Sequence, residues 1–158
     1  MVPRELLMIR LACEPGLRRG EVARCRRDDL IGEPGRYSLR VLGKGNKLRV
    51  VPITDALAAA IMEHCAAGHL FPGFIDGHVS ENWAGTVISR LMPEGYTMHT
   101  LRHRFGTRAY RGSRNLRAVQ ELLGHASIAT TERYTAIDDD EIRAAAMAAA
   151  AELPGIGA

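Results

Sequence analysis

Apolar positions along this chain switch between helical and strand spacing. Leu6, Leu7, Ile9, Leu11 and Ala12 predict a buried first helix, stopped at the breaker pair Pro15-Gly16. A second helix restarts over 21–26, with Arg18 at the loop-to-helix junction. Residues 28–31 begin a short strand. Residues 37–42 and 48–53 then alternate apolar and polar around G-K-G-N-K, which predicts a β-hairpin with Lys44 at its tip. Thr54 should cap a helix to about residue 65, and Ser80 another whose core side would be Trp83, Val87, Ile88 and Leu91. Leu101, Phe105 and Ala109 mark the buried side of a helix that opens near Thr97. Asn115 or Ser113 caps a helix over 116–123, ended by Gly124. Ser127 caps one more, which would carry Tyr134 about two turns in. Acids at 138–141 start a final Ala-rich helix with high propensity and little to bury, and residues 154–158 should fray. The expected fold is mainly α, within the α+β class, with a small three-stranded antiparallel sheet and no repeats or internal linker.

Length and composition narrow this picture. With 158 residues, 46% of them apolar, the chain can build one domain with its own core. The net charge of +3 says little, but its distribution says more. Residues 1–53 hold 12 Lys/Arg against 6 Asp/Glu, and residues 97–134 hold 7 against 2; the segments after each are acidic. Two basic segments folded into one face would suit a polyanion. Only Lys44 and Lys47 among the 21 basic residues are lysines. Either arginine's planar fork is wanted for phosphate or the codon usage is GC-rich.

Cys13, Cys25 and Cys65 have no C-x-x-C spacing and read as reduced thiols. His64, Cys65 and His69 lack a second cluster, so no metal is expected. No apolar run approaches a membrane span, and Arg4, Glu5 and Arg10 interrupt any signal-peptide pattern. A cytoplasmic protein that does not engage membranes is expected.

Candidate chemistry concentrates between Thr97 and Thr135. His99 and Arg102 stand three apart and share a helix face, so a cation and a proton-carrying imidazole are displayed together. His125 follows the helix-ending Gly124, and Tyr134 stands nine residues further on. Glu21 either orients Arg18 through a charge-assisted bond or serves as a first-turn helix acid. His103 reads as a helix histidine packing near the site.

Taken in order, these residues resemble the tyrosine recombinase (phage integrase) family. The resemblance is carried by Arg18 in G-L-R-R-G-E, Lys44 in G-K-G-N-K, His99 and Arg102 in H-T-L-R-H, His125 in L-L-G-H, and Tyr134 in T-E-R-Y-T. Each motif alone is weak; six such residues in the family's order, from about Gly16 to Thr135, are specific. The resemblance implies a site-specific DNA recombinase that works without metal, ATP or other cofactor. Tyr134 would attack a phosphodiester to give a 3′-phosphotyrosyl intermediate. Arg18, Arg102 and His125 would bind the phosphate, His99 would take the tyrosine proton, Lys44 would protonate the leaving oxygen, and Glu21 would support Arg18.

The resemblance further implies double-stranded DNA as partner and a homo-oligomer, a tetramer, on that DNA. It leaves open an accessory DNA-bending protein. It implies a catalytic domain over 1–137 and a tail over 138–158 that is either exchanged between protomers or packed on its own subunit. The family normally carries an N-terminal core-binding domain, which this chain is expected to lack. Gly106 stands where the family usually has Ala, and Ala136 where a histidine often follows. Phage or prophage integration and excision is the leading expectation. A catalytically silent DNA-binding module of the same fold and a type IB topoisomerase-like nicking-closing enzyme are the alternatives. An RNA-binding basic domain would need aromatic platforms that 5% aromatic residues do not supply.

Overall fold

The computed structural model describes residues 1–124 and 139–151. Helix α1 (Arg4–Cys13) is the central element: Leu7, Met8, Leu11 and Ala12 are fully buried. It ends at Cys13, two residues before Pro15, as the breaker pair requires. Gly16 then turns the chain at φ +68°, so close to the Phe105 ring that a Cβ would lie 2.6 Å from it. Only glycine meets both demands. Helix α2 (Arg19–Arg24) starts directly after Arg18, two residues ahead of the sequence expectation.

A short 3-10 turn (Arg27–Asp29) precedes strand β1 (Leu30–Ile31), so Asp28 and Asp29 belong to the turn rather than the strand. Strands β2 (Ser38–Leu42) and β3 (Leu48–Pro52) complete an antiparallel sheet in the order β1-β2-β3, with Leu39 opposite Val51 and Val41 opposite Arg49. The inner face presents Leu39, Val41 and Val51 to the core, while Arg40, Leu42 and Val50 face out. Arg49 therefore stands on the side where apolar residues belong.

Helix α3 (Asp55–His64) is capped by Thr54, whose hydroxyl accepts from Leu57 N–H at 3.1 Å. An extended segment follows at Pro72–Ile75. Helix α4 (Glu81–Leu91) has its expected Ser80 cap but only part of its expected core side, Ile88 with Val87 beside it. Ala84 and Ile88 are the buried residues, with Met92 just beyond. Trp83 and Leu91 are 40% and 53% exposed, and Val87 is half-buried. The reason is size: α4 packs against α2, and Ala84 with Gly85 lets the backbones approach where a tryptophan would not fit. Trp83 instead lies under the Arg4 guanidinium, 4.5 Å from the ring centroid.

Helix α5 (Met98–Ser113) follows a Thr97 capping box and buries Leu101, Phe105 and Ala109 as the spacing predicts. Removing a side chain the size of Leu101 or Phe105 from water is worth about 2 kcal/mol. Asn115, not Ser113, caps helix α6 (Leu116–Leu123); its side chain accepts from Ala118 N–H at 3.1 Å. Gly124 ends α6 at φ +66°.

The last described element, α7 (Asp139–Ala150), buries more than its composition suggests. Ala145, Ala146 and Ala149 are packed into a groove between α5, α6 and β3. A Cβ on Gly112 would come within 2.1 Å of Ala148 Cβ, so the absence of that atom lets the helices close. Arg143 fastens α7 to the sheet by donating to the Tyr37 carbonyl at 3.1 Å and the Ser38 hydroxyl at 3.0 Å. Arg36 pairs with Asp140 at 2.9 Å. The expected boundary at 137/138, the Ser127 cap and the fraying end at 154–158 lie outside the described residues. No helix among the described residues is long and apolar enough to cross a membrane.

Candidate active site

Helix α5 has two working sides. Leu101, Phe105 and Ala109 hold it to the core. His99, Arg102, His103 and Gly106 recur at spacings of three and four on the neighbouring side and line an open cavity of about 1340 Å³. Arg18, at the mouth of α2, lines the same cavity from the opposite wall. Polar residues of α4, including Asn82, Thr86 and Arg90, complete the rim.

Both arginines are held from behind. Arg102 Nη1–H donates to the Gly16 carbonyl at 2.8 Å, and Nη2–H donates to the Leu123 carbonyl. These bonds tie α5 to the turn before Arg18 and to the end of α6. Burial, and then the neighbouring positive charge of Arg18, bring the Arg102 pKa down to about 10; Glu21 works in the opposite direction. Arg102 is still charged at neutral pH, but the free site is electrostatically unfavourable and suited to an anion.

Arg18 is steadied by Glu21. Its backbone N–H donates to Oε2 at 2.8 Å, and its Nη1 reaches Oε1 at 3.4 Å. The buried Glu21 carboxylate carries two bonds from Arg49 as well: Nη1 to Oε1 at 2.6 Å and Nη2 to Oε2 at 2.9 Å. Burial alone would raise the Glu21 pKa. Hydrogen bonds and charge from Arg49, with help from Arg18, outweigh it and hold the carboxyl below its usual range. Glu21 is thus both the first-turn acid of α2 and the partner of Arg18.

Lys44 lies at the tip of the β2–β3 hairpin, exposed, in a 3-10 turn (Lys44–Asn46). It lines a second cavity of about 560 Å³ that adjoins the first, because Arg18 and Arg19 border both. Of the six expected site residues, Arg18, His99 and Arg102 share one cavity, and Lys44 faces its neighbour. His125 and Tyr134 lie outside the described residues. His103, expected to pack, is exposed and lines the larger cavity, because the inward positions at that level of α5 are taken by Leu101 and Phe105.

Arg49 was missed. Its signal was present: the alternation in 48–53 places a charged residue in phase with Val51 on the core side, where an unpaired charge is hardly ever found. Among the described residues no group of His, Cys, Asp and Glu is arranged to hold a metal.

Cations converging from α2, α5 and a hairpin tip, with an imidazole at the same cavity, can bind a tetrahedral phosphorus centre and exchange protons around it. Similarity to known proteins points the same way. The model of the phage integrase family matches residues 3–141. Tyrosine recombinase XerC of Methylobacterium sp. (strain 4-46) is 36% identical, with 94% of this chain and 50% of that protein aligned. XerC of Rhodospirillum centenum is 39% identical, over 80% of this chain and 40% of the relative. The chain therefore spans about half the length of the curated relatives it matches. Among solved structures, the integrase of mycobacterium phage Brujita superposes with a TM-score of 0.79 at 30% identity, covering 92% of this chain and 51% of its own. The site-specific recombinase XerH bound to its difH substrate in a pre-cleavage complex gives 0.67 at 26%, covering 87% and 45%.

Proposed function

From the premise that this chain belongs to the phage integrase family, we propose that it breaks and rejoins a strand of double-stranded DNA by transesterification, as the catalytic part of a site-specific recombinase. The observation that carries this reading is the placement of Arg18, His99 and Arg102 around one cavity, with Lys44 on the cavity next to it. In the reaction, Tyr134 Oη attacks the phosphorus, its proton passes to His99, and a 3′-phosphotyrosyl bond forms. The bond from phosphorus to the 5′ oxygen breaks, and that oxygen takes a proton from Lys44. Reversal of the same steps reseals the strand. Arg18, Arg102 and His125 stabilise the negative charge that gathers on the non-bridging oxygens. Because the ester is exchanged rather than hydrolysed, the bond energy is retained and no ATP is consumed.

Several copies acting together on one DNA belong to this reading as well, with α7 seated on its own subunit. The curated relatives carry the name tyrosine recombinase XerC. They favour a bacterial recombinase of that kind over the phage integration that the motifs first suggest, while the Brujita match keeps the integrase class in view.

A duplex nicked beside the cleavage point tests the chemistry, because the short fragment released on cleavage diffuses away and traps the covalent product. A pool of such duplexes randomised across one binding arm serves when the target is not known. Wild type should give a protein–DNA adduct that survives denaturant, and Tyr134→Phe should give none. An adduct with Tyr134→Phe would move the nucleophile elsewhere. DNA binding without any adduct would make the chain a binding module, and relaxation of supercoils without strand exchange would make it topoisomerase-like.

A further inference from the structure

Glu21 should be a hazard to its neighbour. A buried carboxylate next to a guanidinium forms a two-pronged ion pair readily, and an Arg18 so engaged would have little left for a phosphate. The observed geometry differs. The two short side-chain bonds to Glu21 come from Arg49, at 2.6 and 2.9 Å, while Arg18 reaches it with one nitrogen at 3.4 Å. The Arg49 side chain is 12% exposed and that of Arg18 is 39% exposed. The inner arginine is spent on the carboxylate and the outer one is left facing the cavity.

Arg49 does more than neutralise. Its Nε–H donates to the Leu122 carbonyl at 3.0 Å, one residue before the carbonyl that holds Arg102. Its side chain runs against Gly124, where a Cβ would meet Cδ at 2.9 Å. A Cβ on Gly43, just before Lys44, would lie 3.4 Å from Nη1. One side chain thus touches, at one remove, the segments that present Arg18, Lys44 and Arg102.

We infer that Arg49 is a positioning residue of this site: it occupies the Glu21 carboxylate so that Arg18 stays available to a phosphate, and it fixes the end of α6 against which Arg102 is anchored. This deepens the phosphodiester reading above and rests on it. Arg49 itself does not touch the substrate.

The expected signature is a rescue. In Arg49→Met the freed carboxylate captures Arg18. Adduct formation on the nicked duplex pool should slow at least about 100-fold, the order expected when one charge-stabilising donor is lost. Replacing the carboxylate as well, in the double variant Arg49→Met with Glu21→Gln, removes the trap and should recover at least about tenfold of that loss. Because Glu21→Gln also removes the unpaired buried charge and so restores stability, rates are compared per folded molecule, and a residue needed only for folding would give single and double variants equal to wild type on that basis. Arg49→Lys, which cannot bond both carboxylate oxygens and Leu122 together, should fall between wild type and Arg49→Met. It stands in for Arg49→Met if that variant fails to fold, with Glu21→Gln again restoring activity.

A second arm uses sulfate as a tetrahedral anion and follows the Arg18 side-chain Nε signal by NMR, which needs no catalysis. Sulfate should shift that signal in wild type, much less in the single Arg49 variants, and again in the double variants. If wild type makes no adduct but the sulfate pattern holds, the recombinase reading falls and the role of Arg49 stands. If Arg49→Met or Arg49→Lys matches wild type in either arm, or Glu21→Gln gives no recovery, the inference is overturned.

Discussion

Arg18 and Arg102 face one cavity, and after burial the charge of Arg18 is the main reason that Arg102 sits at a pKa of about 10. Two cations held near each other by carbonyls and a carboxylate store an unfavourable interaction that an anion relieves. Sulfate or phosphate should therefore stabilise the folded chain. At ten times its dissociation constant an anion bound only to the folded state adds about 1.4 kcal/mol, or about 3–5 °C in Tm for a chain of this size. Arg18→Met should lose most of that gain and melt no lower than wild type without anion. Equal gains in both proteins, followed by thermal melts, would place the anion elsewhere.

Arg102→Lys should separate binding from chemistry. An ammonium cannot donate to the Gly16 and Leu123 carbonyls and to a phosphate together, as the guanidinium fork can. Cleavage of a nicked duplex should drop about 100- to 1,000-fold. DNA affinity, spread over many phosphates, should change far less. Single-turnover adduct formation alongside an equilibrium binding curve checks both.

Glu21 predicts an acid limb in the stability curve. Its carboxyl is held below the usual value of about 4.3, so the unfolded chain binds the proton more tightly than the folded one. The stabilisation from Glu21 is complete above that ordinary value and is lost as pH falls through the lowered one. Wild type should exceed Glu21→Gln in urea midpoint at neutral pH, and the gap should close below about pH 4. A gap that stays constant in acid would show that the ionised form of Glu21 is not what stabilises the fold.

Gly16→Ala tests the turn that carries the Arg102 anchor. It combines a positive φ with a Cβ 2.6 Å from the Phe105 ring, so strain and clash should together cost about 2–4 kcal/mol. Gly35→Ala, at φ +83° with nothing within 4 Å of the added atom, should cost only about 1 kcal/mol. Denaturant midpoints compare the two. Gly16→Ala should also slow cleavage beyond its stability loss, since the Gly16 carbonyl must shift with the turn.

Features set by neighbouring residues are legible in this sequence, and features set by distant ones are not. The helix caps at Thr54 and Ser80 and the buried stripe Leu101–Phe105–Ala109 are written in neighbouring residues, and the structure contains them. The buried side of α4 is only half legible: Ile88 is inside as its spacing predicts, but Trp83 and Leu91 look more apolar than Ala84, and closeness to α2 favours the alanine. Helix α7 was undervalued for the same reason: alanines bury little alone, but opposite Gly112 they let two helices approach. The cavity-lining side of α5 was legible through His99 and Arg102. The core-side place of Arg49 is legible in the strand alternation, but its partners are not, because Glu21 and Leu122 are 28 and 73 residues away in the chain.

The anchors behind Arg102 are main-chain oxygens of Gly16 and Leu123. Every amino acid carries a carbonyl, so no exchange at either position deletes the acceptor; it can only shift it. Sequence drift in the walls of this cavity therefore acts on the guanidinium through backbone geometry, and relatives can differ widely around the site while still presenting the same cation at the same angle.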